Sequence, residues 1–275
     1  MIEITNLGYH YPGSGHRVFN DFDLTIEGNH IYGLLGKNGT GKSTLLYLIN
    51  GLLRPTAGTV NVDGYRSFDR SPEMLEEMFL VPEEYDMPDV RLPEYAAVSR
   101  KFYPRFSDEI LRNCLDEFEI APDVNLKALS MGQKKKVFMS FALATGTRFI
   151  LMDEPTNGLD IPSKALFRRV VARNMTDDRT LIISTHQVHD IENLLDHIII
   201  IDNSKVLLNA GIDDITRNYV FRTISEGDSH SADVVYAEPS AMGQSAILRR
   251  HNDETETQIN LELLFDAVTL NHLKL

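Results

Sequence analysis

Two periodicities share this chain, one of two residues and one near 3.6, and their order predicts an α/β fold. Ile2-Glu3-Ile4 and Phe22-Asp23-Leu24-Thr25-Ile26 alternate apolar with polar positions, as a strand with one wet face does. Ile31–Leu35, Met78–Val81, Phe149–Met152 and Thr180–Thr185 are near-continuous apolar runs, the pattern of strands buried on both faces. Gly58–Gly64 reads as an edge strand ending in a turn, and Ile198–Leu208 as a hairpin turning at Asn203-Ser204. Helical stripes intervene. Leu45–Ile49 follows a glycine-rich loop. Ile110, Leu111, Cys114, Leu115 and Phe118 line one face of a helix whose expected N-cap is Ser107, with Asp108 and Glu109 in the first turn. From Leu92 to about Thr145 the pattern is helical, which predicts a subdomain inserted between strand-rich regions; Phe102, Tyr103 and Phe106 are expected to pack in its core. Ser163–Arg173 reads as a helix with a basic outer face, and Leu261–Val268 as a short amphipathic one. Thr223–Gly243 and His251–Gln258 are polar, with strand-like pieces at Ala232–Tyr236 and Ala246–Leu248.

Length and composition narrow the picture. The 275 residues hold one large domain, or one domain with a small appendage, and 43% hydrophobic residues suffice for a packed core. Acidic residues outnumber basic ones by 40 to 27, a net charge of −13, so direct nucleic-acid binding is not expected. Cys114 is the single cysteine, in keeping with a reducing cytosol. Met1-Ile2-Glu3-Ile4 lacks the basic and apolar regions of a signal peptide, and no run approaches the roughly 20 apolar residues of a membrane span. Any membrane role is therefore expected to come through a partner.

The chemistry gathers at the ends of apolar runs. Gly36-Lys37-Asn38-Gly39-Thr40-Gly41-Lys42-Ser43-Thr44 lies between a strand and a helix, the context of a phosphate-binding P-loop. Glycines let successive amides converge on phosphate oxygens, and the helix start adds its positive dipole end. Lys42 can reach the β- and γ-phosphates, and the Ser43 hydroxyl can ligate Mg²⁺. Phe149–Met152 delivers Asp153 and Glu154 where open α/β sheets bind ligands: Asp153 suits a Walker-B magnesium partner, and Glu154 can deprotonate a water. His186, at the end of another buried strand, suits a polar role beside the γ-phosphate better than a metal site with His189 and Asp190. Ser130 reads as an N-cap, and Lys134, Lys135 and Lys136 as a solvated helix face.

Together these motifs resemble the ATP-binding cassette (ABC) family, in particular the ATPase subunits of ABC transporters, from about Ile2 to Gly211. Gly36–Thr44 looks like Walker A, Leu129–Gln133 like the signature loop, and Ile150–Glu154 like Walker B with its catalytic glutamate. Pro155–Asp160 is similar to the D-loop, His186 to the switch histidine, and Tyr11 to the aromatic that stacks on adenine. Two positions depart from the pattern. Met131 replaces the signature's second glycine, and Glu83 stands where the family usually places a glutamine that holds Mg²⁺ and water.

The resemblance implies a P-loop NTPase fold of ABC type, with an antiparallel β subdomain, a helical subdomain at about 85–145 and a small C-terminal accessory region at 212–275, after a nucleotide-binding domain at 1–211. It implies Mg²⁺-dependent ATP hydrolysis with Glu154, His186 and Lys42 as catalytic residues. ATP would be held by Tyr11, Gly36, Asn38, Gly39, Gly41, Lys42, Ser43 and Thr44, and by Ser130, Gly132 and Gln133 of a second subunit; Ser43, Asp153 and Glu83 would hold the metal. One P-loop and one signature per chain imply a dimer, with homodimerisation expected. The implied partners are integral membrane permease subunits, which would place the protein on the cytoplasmic face of the membrane. The compact Glu83–Leu129 insert and the C-terminal tail lean toward bacterial export. The rival readings are a soluble ABC ATPase acting on ribosomes or chromosomes, and an ATP-sensing regulatory module. Residues after Gly211 are expected to be dispensable for nucleotide binding.

Overall fold

The computed structural model describes residues 1–84, 86–225, 227, 232–251 and 254–273, so the polar stretches 223–243 and 251–258 lie partly outside the described residues. The chain begins with β1 (Ile2–His10), β2 (Arg17–Ile26) and β3 (Ile31–Leu35), then α1 (Lys42–Ile49). β4 (Ala57–Val62), β5 (Tyr65–Arg66), α2 (Pro72–Leu75) and β6 (Met78–Val81) follow. The helical insert comprises α3 (Leu92–Ser99), α4 (Asp108–Glu117) and α5 (Met131–Ala144). Next come β7 (Phe149–Asp153), α6 (Ile161–Asn174), β8 (Thr180–Thr185), β9 (His197–Asp202) and β10 (Lys205–Gly211). The last part holds α7 (Ile212–Asn218), β11 (Tyr219–Ile224), β12 (Val234–Ser240), β13 (Gly243–Arg249) and α8 (Leu261–Thr269).

Three sheets result. The central one has the order β10-β9-β3-β8-β7-β6, parallel except for β10, which returns antiparallel along β9. An antiparallel sheet of order β2-β1-β4-β5 covers one side, and the short β5 pairs with the outer edge of β4, the strand expected to be an edge. The C-terminal sheet, β11-β13-β12, is antiparallel. The β9–β10 turn is made by Asn203 and Ser204, both with left-handed φ, the turn that matches the twist of a hairpin.

Alternation along the central strands divides the core in two. Leu34, Leu151, Ile182 and Ile199 point toward α1 and the antiparallel sheet, where they meet Leu45, Leu46, Phe19 and Phe22. Leu35, Ile150, Met152, Ile183 and Ile200 point the other way, onto α5, α6 and α8. Burial of each such side chain contributes roughly 1.5–3 kcal/mol. Local signals agree with the packing: Ser107 Oγ accepts the Ile110 amide at the start of α4, and Leu111, Cys114, Leu115 and Phe118 are buried. Phe102 is the exception among the insert's aromatics. It is 68% exposed, on a surface rather than in a core.

The region after Gly211 is not a freestanding appendage. Leu261, Leu263, Leu264, Ala267 and Val268 of α8 are buried in the same apolar cluster as Leu35, Val188 and Ile191. Polar contacts add to this: Glu262 meets His189 at 3.0 Å, and Gln258 Nε2 donates to Asn193 Oδ1 at 2.7 Å.

Candidate active site

Parallel pairing aligns the strand ends. Leu35 lies beside Thr185, and Asp153 beside Ser184, so the loops after β3, β7 and β8 leave the sheet at one edge. Glu83 follows β6 at that same edge. A cleft of about 590 Å³ opens there, lined by Tyr11, Asn38, Gly39, Gly41, Lys42, Ser43, Thr44, Glu83, Glu154 and His186 among others.

The P-loop's shape depends on its glycines. Gly39 and Gly41 have φ of +84° and +99°, a region that costs other residues strain. A Cβ on Gly36 would stand 2.7 Å from the Ile201 carbonyl, and one on Gly41 would stand 2.9 Å from the Phe19 ring. Lys42 is folded along the loop, donating from Nζ to the carbonyls of Gly36 (2.7 Å) and Lys37 (3.3 Å). Burial pulls its pKa below the ordinary lysine value, while Glu154, Asp153 and Glu83 oppose that shift. Tyr11 stands at the rim, 42% exposed, and shares a hydrogen bond of 2.9 Å with Thr44 Oγ1 that steadies its ring over the start of α1.

Opposite the loop stand the carboxylates. Asp153 is buried; its Oδ1 accepts from Ser184 Oγ, and its Oδ2 has no hydrogen-bond partner among the described residues. Burial raises the Asp153 pKa, the Ser184 and Ser43 hydroxyls counter this, and Glu83 and Glu154 add to it. A buried carboxylate oxygen without a partner, beside the Ser43 hydroxyl and Glu83, fits a hard divalent cation. Among the described residues no three His, Cys, Asp or Glu form a metal-binding cluster.

Glu154 is 6% exposed and has a left-handed φ of 45°. Its Oε1 accepts from the His186 amide at 3.0 Å and from His186 Nδ1 at 2.7 Å, and its Oε2 accepts from Thr185 Oγ1 at 3.0 Å. Since a carboxylate only accepts, Nδ1 carries the proton of this bond. His189 and Asp190 take no part in the cleft. His189 faces Glu262 and Glu192, and Asp190 pairs with Lys164 at 2.7 Å.

Ser130, Gly132 and Gln133 are not among the residues lining the cleft. Ser130 caps α5 in a reciprocal box: its Oγ accepts the Gln133 amide at 3.3 Å, and Gln133 Oε1 accepts the Ser130 amide at 3.0 Å. Among the described residues no acceptor takes the Ser130 hydroxyl hydrogen. The three lysines that follow are not one solvated face. Lys135 is 5% exposed, and its Nζ donates to the carbonyls of Asn157 (2.8 Å) and Glu154 (3.1 Å). Sequence reasoning missed Lys135, Thr185 and Asn157. Asn157 bears a weak signal, since it lies in the D-loop stretch, and its Nδ2 donates to Glu83 Oε1 at 2.9 Å.

A parallel sheet with a P-loop on one strand and an acidic pair at the end of another defines a P-loop nucleotide-binding ATPase fold. Comparison with known proteins gives the family. Residues 19–157 match the ABC transporter family model. The chain is 29% identical over 226 residues to the ABC transporter ATP-binding protein YtrB of Bacillus subtilis, covering 80% of this chain and 75% of that protein. It is 31% identical over 253 residues to the methionine import ATP-binding protein MetN of Ralstonia nicotianae, covering 82% and 71%. The solved structure of an ATP-binding subunit of an ABC transporter has the same fold, with a TM-score of 0.69 and 24% identity over 79% of this chain and 92% of that one. The chain belongs to the ABC transporter family, as an ATP-binding ATPase subunit. Its relatives include both import and export proteins. Among the described residues no helix is long and apolar enough to cross a membrane.

Proposed function

We propose that the protein is the Mg²⁺-dependent ATPase of a bacterial exporter, working by ATP-driven closure of two copies of this chain. One observation carries the reading: Lys42, Glu154 and His186 come from three strand ends onto one cleft, with Asp153 buried next to Glu154 at the end of β7. In this account Tyr11 stacks on the base, and the amides of Asn38, Gly39, Gly41, Lys42, Ser43 and Thr44 hold the phosphates. Gly36 supports the loop from behind. Mg²⁺, held by Ser43, Asp153 and Glu83, neutralises phosphate charge when bound. Glu154 takes the proton of the attacking water, and His186, oriented by Glu154, stands beside the γ-phosphate.

Ser130, Gly132 and Gln133 serve the nucleotide of the second copy, with the Ser130 hydroxyl and the α5 start turned to its γ-phosphate. Dimeric cassettes occur among the solved structures of the same fold. Residues 1–211 form the working cassette, with the helical subdomain at about 85–145, and 212–275 an accessory region. A groove of about 780 Å³ between β6 and the insert, lined by Leu52, Phe79, Tyr95, Phe102 and Phe138, supports docking of a permease and attachment to the cytoplasmic side of the membrane. Export rests on the short insert between Glu83 and Leu129 and on the C-terminal region.

The experiment is Mg²⁺-dependent ATP hydrolysis by the purified protein and its Lys42→Ala variant. Lys42 supplies the mobile cation for the β- and γ-phosphates, so Lys42→Ala should lose nucleotide binding or turnover. A Lys42→Ala protein with full activity would sink the assignment. Transport direction follows from the permease copurified with the chain, reconstituted in vesicles and supplied with ATP on either side.

A further inference from the structure

A lysine only 5% exposed, with no ion pair among the described residues, is an unusual element in an ATPase core. Lys135 lies one turn into α5, past the Ser130–Gln133 cap. Its two hydrogen bonds go to main-chain oxygens, those of Glu154 and Asn157, which begin and close the turn bearing the Glu154 carboxylate. Asn157 in turn donates through Nδ2 to Glu83 Oε1. A continuous path therefore runs from the signature helix through Lys135 and Asn157 to the one carboxylate this chain carries where the family has a neutral amide.

We propose that Lys135 is a positioning residue of the ATPase site and the counter-charge for Glu83. Its carbonyl bonds hold the Glu154–Asn157 turn in register with α5, and its ammonium offsets the extra negative charge that Glu83 brings beside Asp153 and Glu154. The electrostatics agree with the geometry. Burial pulls the Lys135 pKa down, and Glu83 comes first among the groups that hold it up, ahead of Glu154 and Asp153. Burying an unpaired ammonium is costly, and here carbonyl dipoles and nearby carboxylates offset that cost together. Because α5 starts at the residues assigned to the partner's nucleotide, Lys135 also links that contact to this subunit's own general base.

The inference rests on the ATPase reading, and the test separates the two. Lys135→Gln, Glu83→Gln and the double variant are compared with the wild type for kcat, KM and equilibrium binding of a fluorescent ATP analogue in EDTA. Wild-type turnover in the same assay checks the ATPase reading by itself. Lys135→Gln should lower kcat roughly tenfold and weaken metal-free binding several-fold, because the phosphates then face one more uncompensated charge. In the Glu83→Gln background the same change should cost less than about threefold in kcat, a coupling typical of residues in one network. Equal losses in both backgrounds would reduce Lys135 to a backbone strut and overturn the charge claim. Wild-type kcat in Lys135→Gln would overturn the proposal entirely. Should Lys135→Gln fail to fold, recovery of folded protein in the double variant supports the coupling, and failure of both variants overturns it.

Discussion

His186 Nδ1 lies 2.7 Å from Glu154 Oε1, and the His186 amide donates to the same oxygen, so His186 and Glu154 form one hydrogen-bonded unit. The unit exists because β7 and β8 are adjacent and in register, which brings together residues far apart in the chain. In the proposed mechanism the ring aims the Glu154 carboxylate. His186→Ala should therefore lower kcat by roughly a hundredfold, the scale of a lost or misaligned base, with KM for ATP changing little. Steady-state kinetics checks this; a rise in KM at unchanged kcat would assign His186 to ground-state binding alone.

Asp153 should carry a stability cost. A carboxyl whose pKa rises on folding stabilises the fold when protonated and destabilises it when charged, so at neutral pH the cost is fully present. Asp153→Asn keeps the acceptor for Ser184 and removes the charge. Its nucleotide-free form should melt no lower than the wild type, while Mg²⁺-dependent turnover falls about a hundredfold or more. Calorimetry paired with an ATPase assay reads both, and a large drop in melting temperature would contradict this account of Asp153.

The C-terminal helix should be structural as well as accessory. Leu264 is fully buried against the cassette core, so Leu264→Ala should cost about 2–5 kcal/mol in denaturant unfolding. A chain ending at Gly211 should lose solubility or melt early, since it would expose that surface. A truncated chain as stable as the full one would show that the shared core is dispensable.

Docking of α8 should also depend on pH. Burial lowers the His189 pKa, but Glu262 and then Glu192 more than reverse this, and the net shift is upward. The sign follows from linkage: the ion pair stabilises fully below the ordinary imidazole value of about 6.5 and fades as pH rises through the elevated folded value. The melting difference between wild type and Glu262→Gln should be wider near pH 6 than near pH 9. Because His189 is largely exposed, the effect should be small and salt-sensitive. An equal difference at both pH values would rule out the pair as its source.

What was legible in the sequence is what is encoded locally. The P-loop, the strand bearing Asp153 and Glu154, and the caps at Ser107 and Ser130 each depend on neighbours a few residues away. The Lys134–Lys136 run misled because three like charges suggest water, whereas α5 turns only Lys135 inward, toward carbonyls supplied by the loop after β7. Phe102 misled in the opposite sense: an aromatic in a helical insert suggests a core, yet it lies at an open groove. The joining of α8 to the cassette core is non-local packing, and no spacing in 211–275 encodes it.

In the proposed mechanism Glu154 performs hydrolysis in a cleft completed by a second copy of the chain. Glu154→Gln keeps shape and most hydrogen bonding but cannot accept the water's proton, so ATP should bind and persist. Sedimentation of Glu154→Gln at high protein concentration with Mg-ATP measures the consequence directly. An ATP-dependent dimer that reverts to monomer when Ser130→Arg is added is the expected result. A monomer at every concentration, or a dimer indifferent to both ATP and Ser130→Arg, would contradict it.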